Sequence, residues 1–541
     1  MSDLLGLSLT LANRVNINFP QNLLTACLRN LTHRLAWSSV AIALSVLATT
    51  GCRNASQPIT PQETPASLKL SAATESAIVS FCSDCHAMPD PMSFPKSAWE
   101  NEVRRGYDFY YASGKKGVSV PVFADTQHYF VTRAPEALSL AAPGEVDTEM
   151  LNRFQQSPIT IPGLSNCAVS FIDVVDLGAP LGRGILFSEM SQGGVYFCSL
   201  SETGKAGPPK LLEKVANPAV VRVCDWDSDG LRDLIVADLG SFLPEDHKRG
   251  RVVWLRQRDD LPGEFIAKTL HDGVGRVSSV EMADFDSDGR LDVLVAEFGW
   301  QSTGSIFWLQ RASDGDPVQG LTKHEIDARA GTIQIPLIDI NQDGHMDFVA
   351  LISQHHERIE AMINNGHGEF RSELIYAAPE PAFGSSGIDL VDINTDGKVD
   401  VLYTNGDSFD SFILKPSHGV RWFENKGTFP FEAHEIGKLP GAHRGLVGDF
   451  DGTGKRSIVA GAFFARDVFR TQGLAVTEGL VILKRDDAGA YKKHVLTLGD
   501  CTHAAMCVAD LDQNGRDDVL VGEFRDSGNG SGPAVTVWLA R

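Results

Sequence analysis

The chain has 541 residues, 22% charged and 43% hydrophobic, which is the balance of a globular protein and neither disordered nor collagen-like. Its 48 Lys and Arg face 69 Asp and Glu, a formal charge of −21. That excludes a general grip on nucleic acid, which needs cationic side chains to release counterions from the phosphate backbone.

The first segment reads as an address. Arg29, His33 and Arg34 precede an apolar run from Leu35 to Leu47, followed by the small residues Ala48-Thr-Thr-Gly51 and Cys52. A basic region, a short apolar stretch and small residues before a cut predict a signal peptide over residues 1–51 and an exported protein. Gly51-Cys52 resembles a bacterial lipoprotein cleavage box, with Thr49 standing where Leu is usual; the resemblance implies lipidation of Cys52 and a membrane-anchored protein on the periplasmic or cell-surface side. Residues 52–69, rich in Pro, Thr and Ser, are expected to be a flexible tether.

Residues 70–155 are predicted to form a small helical, cytochrome c-like segment. Phe81-Cys82-Ser-Asp-Cys85-His86 has the spacing of c-type haem attachment: two thiols one helical turn apart for the vinyl groups and an adjacent imidazole for the iron. A local disulfide and half a zinc site are the other chemistries open to the pair. Helices are expected over 72–81 and 95–111, the second closed by Gly114, with Trp99, Val103, Tyr107 and Tyr110 as its core stripe. His128 and Met150 have enough intervening chain to be the sixth iron ligand, whereas Met88 and Met92 lie too close to His86.

From about residue 165 the chain repeats. One nine-residue pattern recurs at Asp225, Asp227, Asp229 and Asp233; at Asp284, Asp286, Asp288 and Asp292; at Asp339, Asn341, Asp343 and Asp347; at Asp392, Asn394, Asp396 and Asp400; and at Asp510, Asp512, Asn514 and Asp518. Asp449, Asp451, Thr453 and Ser457 form a worn copy. Oxygens at positions 1, 3, 5 and 9, with the carbonyl at 7 and a turn-permitting Gly at 6, suit a hard cation, so about five calcium ions are expected. No Glu stands at position 12 and valine-rich runs flank each loop, which makes these strand–loop–strand hairpins and not EF-hands.

The pattern resembles the FG-GAP, or VCBS, repeats of integrin alpha-subunit propellers and of many exported bacterial proteins. The resemblance implies a mainly β fold over residues 156–541, a β-propeller with one calcium hairpin per blade. A recurring Trp column (Trp254, Trp308, Trp422, Trp538) marks the third strand of each blade, and an extra unit over 168–197 brings the count to about seven. The last blade lacks a fourth strand, which Ile159-Thr-Ile161 is placed to supply, closing the ring and removing its edges. A Cys167–Cys501 disulfide at the closure is one reading and buried free thiols the other.

Hairpin geometry puts the residues before each first strand and after each second strand on the face opposite the calcium loops. Arg276, His443, Arg444 and His503, with Asp238, Glu297, Asn405 and Glu523, fall there, and a protein or polysaccharide ligand is expected at that mouth. His355-His356 reads as an exposed loop. No nucleophile–base spacing or phosphate loop appears, so no catalytic residue is assigned. The leading expectation is an exported haem c protein coupling electron transfer to a redox partner with ligand binding by a calcium-stabilised propeller. The alternatives are an adhesion or ligand-binding propeller without a redox role, and a propeller enzyme, either a dehydrogenase or a polysaccharide lyase.

Overall fold

A computed structural model describes residues 69–312, 317–318, 320–465, 467–486, 488–525 and 532–541. The expected signal peptide and Cys52 lie outside the described residues. No described helix is long and apolar enough to cross a membrane. Residues Leu70–Arg541 form one compact unit.

Seven antiparallel sheets make up most of it. The alternation of apolar and polar residues around each acidic loop folds locally as a hairpin, and two further strands complete each blade in the order A, B, C, D. The third blade is typical, with strands Val277–Ala283, Asp292–Glu297, Ser305–Gln310 and Thr322–Asp327. The A strands of neighbouring blades pack in sequence round the ring, blade seven against blade one. An apolar cluster fills each of the seven interfaces between blades. The Trp column is blade packing as read: Trp254, Trp308, Trp422 and Trp538 are buried on C strands, and the first three are capped by D-strand side chains. The Lys268 ammonium lies 4.8 Å from the Trp254 ring, while His324 and His434 each sit 4.6 Å from Trp308 and Trp422.

The ring closes by pairing its two ends. Phe154–Ile159 runs antiparallel to Val535–Ala540 as the outer strand of blade seven, with Phe154 opposite Ala540 and Ile159 opposite Val535. The closing strand therefore begins at Phe154, two residues before the expected boundary, and ends where the sequence placed its start. Closure covers the edge that strand Val535–Ala540 would otherwise leave unpaired.

The helical segment has three main helices: α1 (Ala72–Cys82), α2 (Trp99–Ser113) and α3 (Phe123–Arg133). Ser71 caps α1 through its hydroxyl, and Gly114 ends α2 in the left-handed conformation at φ 66°. The α2 stripe is buried as expected, with Trp99 stacked on Phe130 at 4.1 Å and Phe81 packed on Tyr107 and Tyr110 at 4.9 Å each. This core does not end at the helices. Ile413 and Ala382, from connections of blade five, belong to the same cluster.

Candidate functional site

Each acidic loop is built by its own backbone. The position-1 carboxylate accepts from the N–H of the position-6 glycine, at 3.1 Å for Asp225 to Gly230 and 2.8 Å for Asp284 to Gly289. The same bond recurs at Asp339, Asp392, Asp449 and Asp510. These glycines sit at φ between 76° and 88°, and an added Cβ would meet nothing within 4 Å, so it is conformation and not crowding that demands glycine. Position 4 is also left-handed, at φ 57–61° for Ser228, Ser287, Gln342, Thr395 and Gln513.

Position 9 is a structural hub. Asp233, Asp292, Asp347, Asp400 and Asp518 are fully buried. In Asp292 one oxygen accepts from Phe285 N at 3.2 Å and the other from Arg311 N at 2.9 Å, which ties the loop to the residue after strand C. Burial pushes Asp292 up to about 7 and Asp233 and Asp518 up to about 6.

The donor sets fit a hard cation. In three loops, carboxylate oxygens of three residues lie within 4.8 Å of one another: Asp225, Asp227 and Asp229; Asp284, Asp286 and Asp292; Asp510, Asp512 and Asp518. Oδ1 of Asp225, Asp227, Asp286 and Asp512 is buried without a hydrogen-bond partner, a costly state for a carboxylate unless a cation sits against it. The other oxygens of Asp227 and Asp286 are already used, by Arg256 and Gln310 at 2.6 Å each, and Arg256 also reaches Asp229 at 2.9 Å. The third and fourth loops carry the same turn with Asn341 and Asn394 at position 3; Asn341 Nδ2 donates to Asp343, and Asn394 Nδ2 to Glu424. In the worn copy the Lys484 ammonium lies 2.5 Å from Asp451, much as Arg256 lies 2.6 Å from Asp227, but Thr453 donates to the other Asp451 oxygen and Ser457 replaces the buried carboxylate, so this loop lacks both the unpartnered oxygen and the position-9 carboxylate.

On the opposite face the expected mouth residues are assembled, but most brace the propeller. Asp238 pairs with Arg251 at 2.5 Å; Glu297 accepts from Gly275 N at 2.6 Å and Ser305 Oγ at 2.8 Å; Asn405 donates to Phe383 and Ser417 carbonyls. Arg444 donates to the Ile388 carbonyl at 2.7 Å. His503 is buried between Asp500 and Glu523, 3.6 Å from the latter; burial lowers its pKa, but the Glu523 charge outweighs this and raises it. Arg276 lies over the Phe298 ring at 5.6 Å, and His443 meets the Phe463 ring edge-on at 4.9 Å. Phe524 packs on both Phe463 and Phe242, at 5.2 and 5.8 Å. Sequence reading missed this aromatic lining, although Phe298, Phe463 and Phe524 each follow the last residue of a B strand.

The helical segment docks on this same face. Arg105 reaches Asp410 at 3.6 Å, and the buried Lys415 ammonium donates to the Ala382 carbonyl and lies 4.5 Å from the Phe94 ring. Cys82 and Cys85 are free, as are Cys167 and Cys501, so neither disulfide forms. Cys167 and Cys501 are buried in different interfaces between blades, Cys501 bonded to Thr477 at 3.2 Å. His86 Nδ1 is 2.7 Å from the Ala87 carbonyl, which assigns the proton to Nδ1 and leaves Nε2 free to ligate. Burial holds the imidazole below its ordinary pKa, hence neutral, and burial pushes the Cys82 thiol up to about 12. These residues fit a covalent haem: two unpaired thiols one turn apart and a neutral imidazole with its distal nitrogen available. Of the sixth-ligand candidates, Met150 is buried in the core between blades six and seven, away from the helical cluster that holds Cys82 and Met88. The His355-His356 pair lies in a turn with His355 exposed, as read, and the His355 ring centre is 6.1 Å from that of His86.

Fold and loops together define a seven-bladed β-propeller with an acidic loop on the A–B hairpin of six blades. The FG-GAP-like repeat family matches residues 203–295 and 339–403, which contain four of the acidic loops. No curated protein matches the chain. Among solved structures, one titled for specific recognition of non-reducing terminal N-acetylglucosamine by an Agrocybe aegerita lectin is similar at 17% identity and TM-score 0.39, over 69% of this chain and 94% of that one. That likeness is too loose for its ligand to bear on this chain.

Proposed function

We propose that the protein is an exported, lipid-anchored partner- or ligand-binding propeller that calcium stabilises and that carries a c-type haem on its binding face. The observation that carries this reading is the docking of the Cys82-Ser-Asp-Cys85-His86 segment onto the face opposite the acidic loops, through the core shared by Ile413, Phe81 and Trp99. Binding and redox groups then occupy one surface, so that a docked protein or polysaccharide lies beside the haem. When bound, the haem would supply a one-electron couple for exchange with a redox partner. Cys82 and Cys85 would hold its edge, while Ala87 fixes the His86 tautomer and Lys415 and Arg105 brace the site.

Calcium enters the proposal through the unpaired buried oxygens of Asp225, Asp227, Asp286 and Asp512. About five ions would offset much of the repulsion among nineteen carboxylates at positions 1, 3, 5 and 9 of the six loops. The test is expression with the native leader in a bacterium that matures c-type haem, followed by fractionation. Haem that stays covalently bound after denaturation, in the membrane or periplasmic fraction, supports the reading; a full-length exported protein without haem refutes its redox half. Bound calcium near five per chain by elemental analysis supports the other half, and none refutes it.

A further inference from the structure

We propose that His355, from blade four of the propeller, is the sixth ligand of the haem iron, opposite His86. This rests on the haem reading above and extends it, because the iron would then be held jointly by the helical segment and the propeller.

Metal–imidazole nitrogen bonds are about 2 Å long, so two imidazoles on opposite sides of one ion have ring centres about 6 Å apart. The His86 and His355 rings are separated by 6.1 Å with planes at 53°. Stacked rings lie closer, as Trp99 and Phe130 do at 4.1 Å. The gap between His86 and His355 is wider than a stacked pair and has the span of two imidazoles with one metal between them, a spacing that tilted ring pairs such as Phe154 and Phe450 at 6.2 Å also show.

His355 is held in place. It lies in the turn between strands Asp347–Ile352 and Arg358–Asn364, where Gln354 and Glu357 adopt left-handed φ of 57° and 47°, a conformation that side chains other than glycine rarely take. The buried Glu357 carboxylate accepts from Ser385 N at 2.9 Å and Gly384 N at 3.2 Å, which pins the turn to blade five. The turn that presents His355 is therefore braced by the same blade on which the helical segment docks.

The arrangement also separates haem from zinc. A zinc site needs four donors converging on one point. Among the described residues, the groups whose metal-binding atoms converge within 4.8 Å do not include Cys82, Cys85 and His86. The exposed Cys85 thiol lies instead 3.3 Å from the Lys115 ammonium. Thiols set apart from the imidazoles suit attachment to the rim of a porphyrin. With both axial positions filled by histidine, the iron has no open site, which assigns it to electron transfer and not to peroxide or small-ligand chemistry.

The experiment uses the full-length exported holoprotein. Haem attachment is measured first, by the spectrum of the pyridine adduct in alkali. The axial ligands of the unmodified protein are then read by electron paramagnetic resonance and near-infrared magnetic circular dichroism, which distinguish bis-imidazole from imidazole–thioether ligation. We expect a low-spin bis-imidazole signature and no carbon monoxide binding by the reduced protein. His355→Ala should turn the iron high-spin, admit carbon monoxide and recover the low-spin spectrum on adding imidazole, whereas His356→Ala should leave the spectrum unchanged. His355→Met should keep the iron low-spin and raise its midpoint potential. A wild-type protein with attached haem but a thioether or open sixth position overturns the assignment, as does an unchanged His355→Ala spectrum. An exported wild type without haem overturns the underlying haem reading instead. The wild-type spectra decide the matter even where a variant fails to fold.

Discussion

The second acidic loop allows a prediction in which the effect of one substitution depends on calcium. Asp286 shares a site with Asp284 and Asp292, their carboxylate oxygens within 4.8 Å of each other. At that separation two like charges cost about 3.5 kcal/mol at an effective dielectric of 20 and about 0.9 kcal/mol in bulk water. Removing one charge from this partly exposed loop therefore relieves on the order of 1–3 kcal/mol when no ion is bound. Asp286→Ala also loses the 2.6 Å hydrogen bond from Gln310. A bond to a charged group contributes about 1.5–3 kcal/mol, so the two effects nearly cancel, and in chelator the variant should unfold within about 1 kcal/mol of the parent. With calcium at a hundred times its dissociation constant, one occupied site adds about 2.7 kcal/mol, which the variant forfeits. Urea unfolding of both proteins, in chelator and in calcium, measures the difference of differences, expected at about 3 kcal/mol. Asp451→Ala is the internal control, because Thr453 already takes up the Asp451 oxygen whose counterparts in Asp227, Asp286 and Asp512 are unpartnered, and Ser457 replaces the position-9 carboxylate; its cost should be the same in both conditions. An equal loss for Asp286→Ala with and without calcium would refute the cation site.

Other outcomes follow from single residues. Gly289→Ala meets no atom within 4 Å but must hold φ at 86°, so it should cost about 1–2 kcal/mol from backbone conformation alone, with Asn at this position costing less; thermal melts of both variants check this. The His503–Glu523 pair should give a stability plateau. Glu523 is held below its ordinary 4.5, where burial raises it but His503 and Thr502 outweigh burial, and His503 is raised above 6.5. Its contribution is then complete between those two values, lost as pH rises through the raised histidine pKa and lost as pH falls through the lowered carboxyl pKa. Glu523→Gln should flatten both limbs of an unfolding midpoint followed against pH. Ile413→Ala should remove about 2–5 kcal/mol from the docking core and speed amide exchange in Trp99–Ser113 while leaving blades one to three protected; exchange unchanged in that helix would count against a shared core. Phe154→Ala, at the ring closure beside Trp538 and Phe450, should cost about 3–5 kcal/mol and act on the whole ring, which a single cooperative transition at lower denaturant would reveal.

How far the molecule could be read from its residues depended on how local each feature is. The acidic loops were legible because every part of them lies within nine residues: Asp225 caps the Gly230 amide, and Asp233 closes on Trp226. Repetition of that unit also carried the blade count and the closing strand, since a ring of equal hairpins has a limited set of solutions. The spacing of Cys82, Cys85 and His86 was equally local. What the sequence could not set was which repeats approach a segment outside the ring. The mouth carboxylates Asp238 and Glu297 looked available in sequence, but in three dimensions Arg251 and Ser305 take them up. His355 lies 269 residues from His86, and no periodicity links the two. Only the packing of α1 and α2 on blade five, through Ile413 and the buried Lys415, brings a turn of blade four to His86. Short-range hydrogen bonding therefore determined the loops and blades from the sequence alone, and long-range burial of apolar surface decided which face of the propeller carries the Cys82–His86 segment.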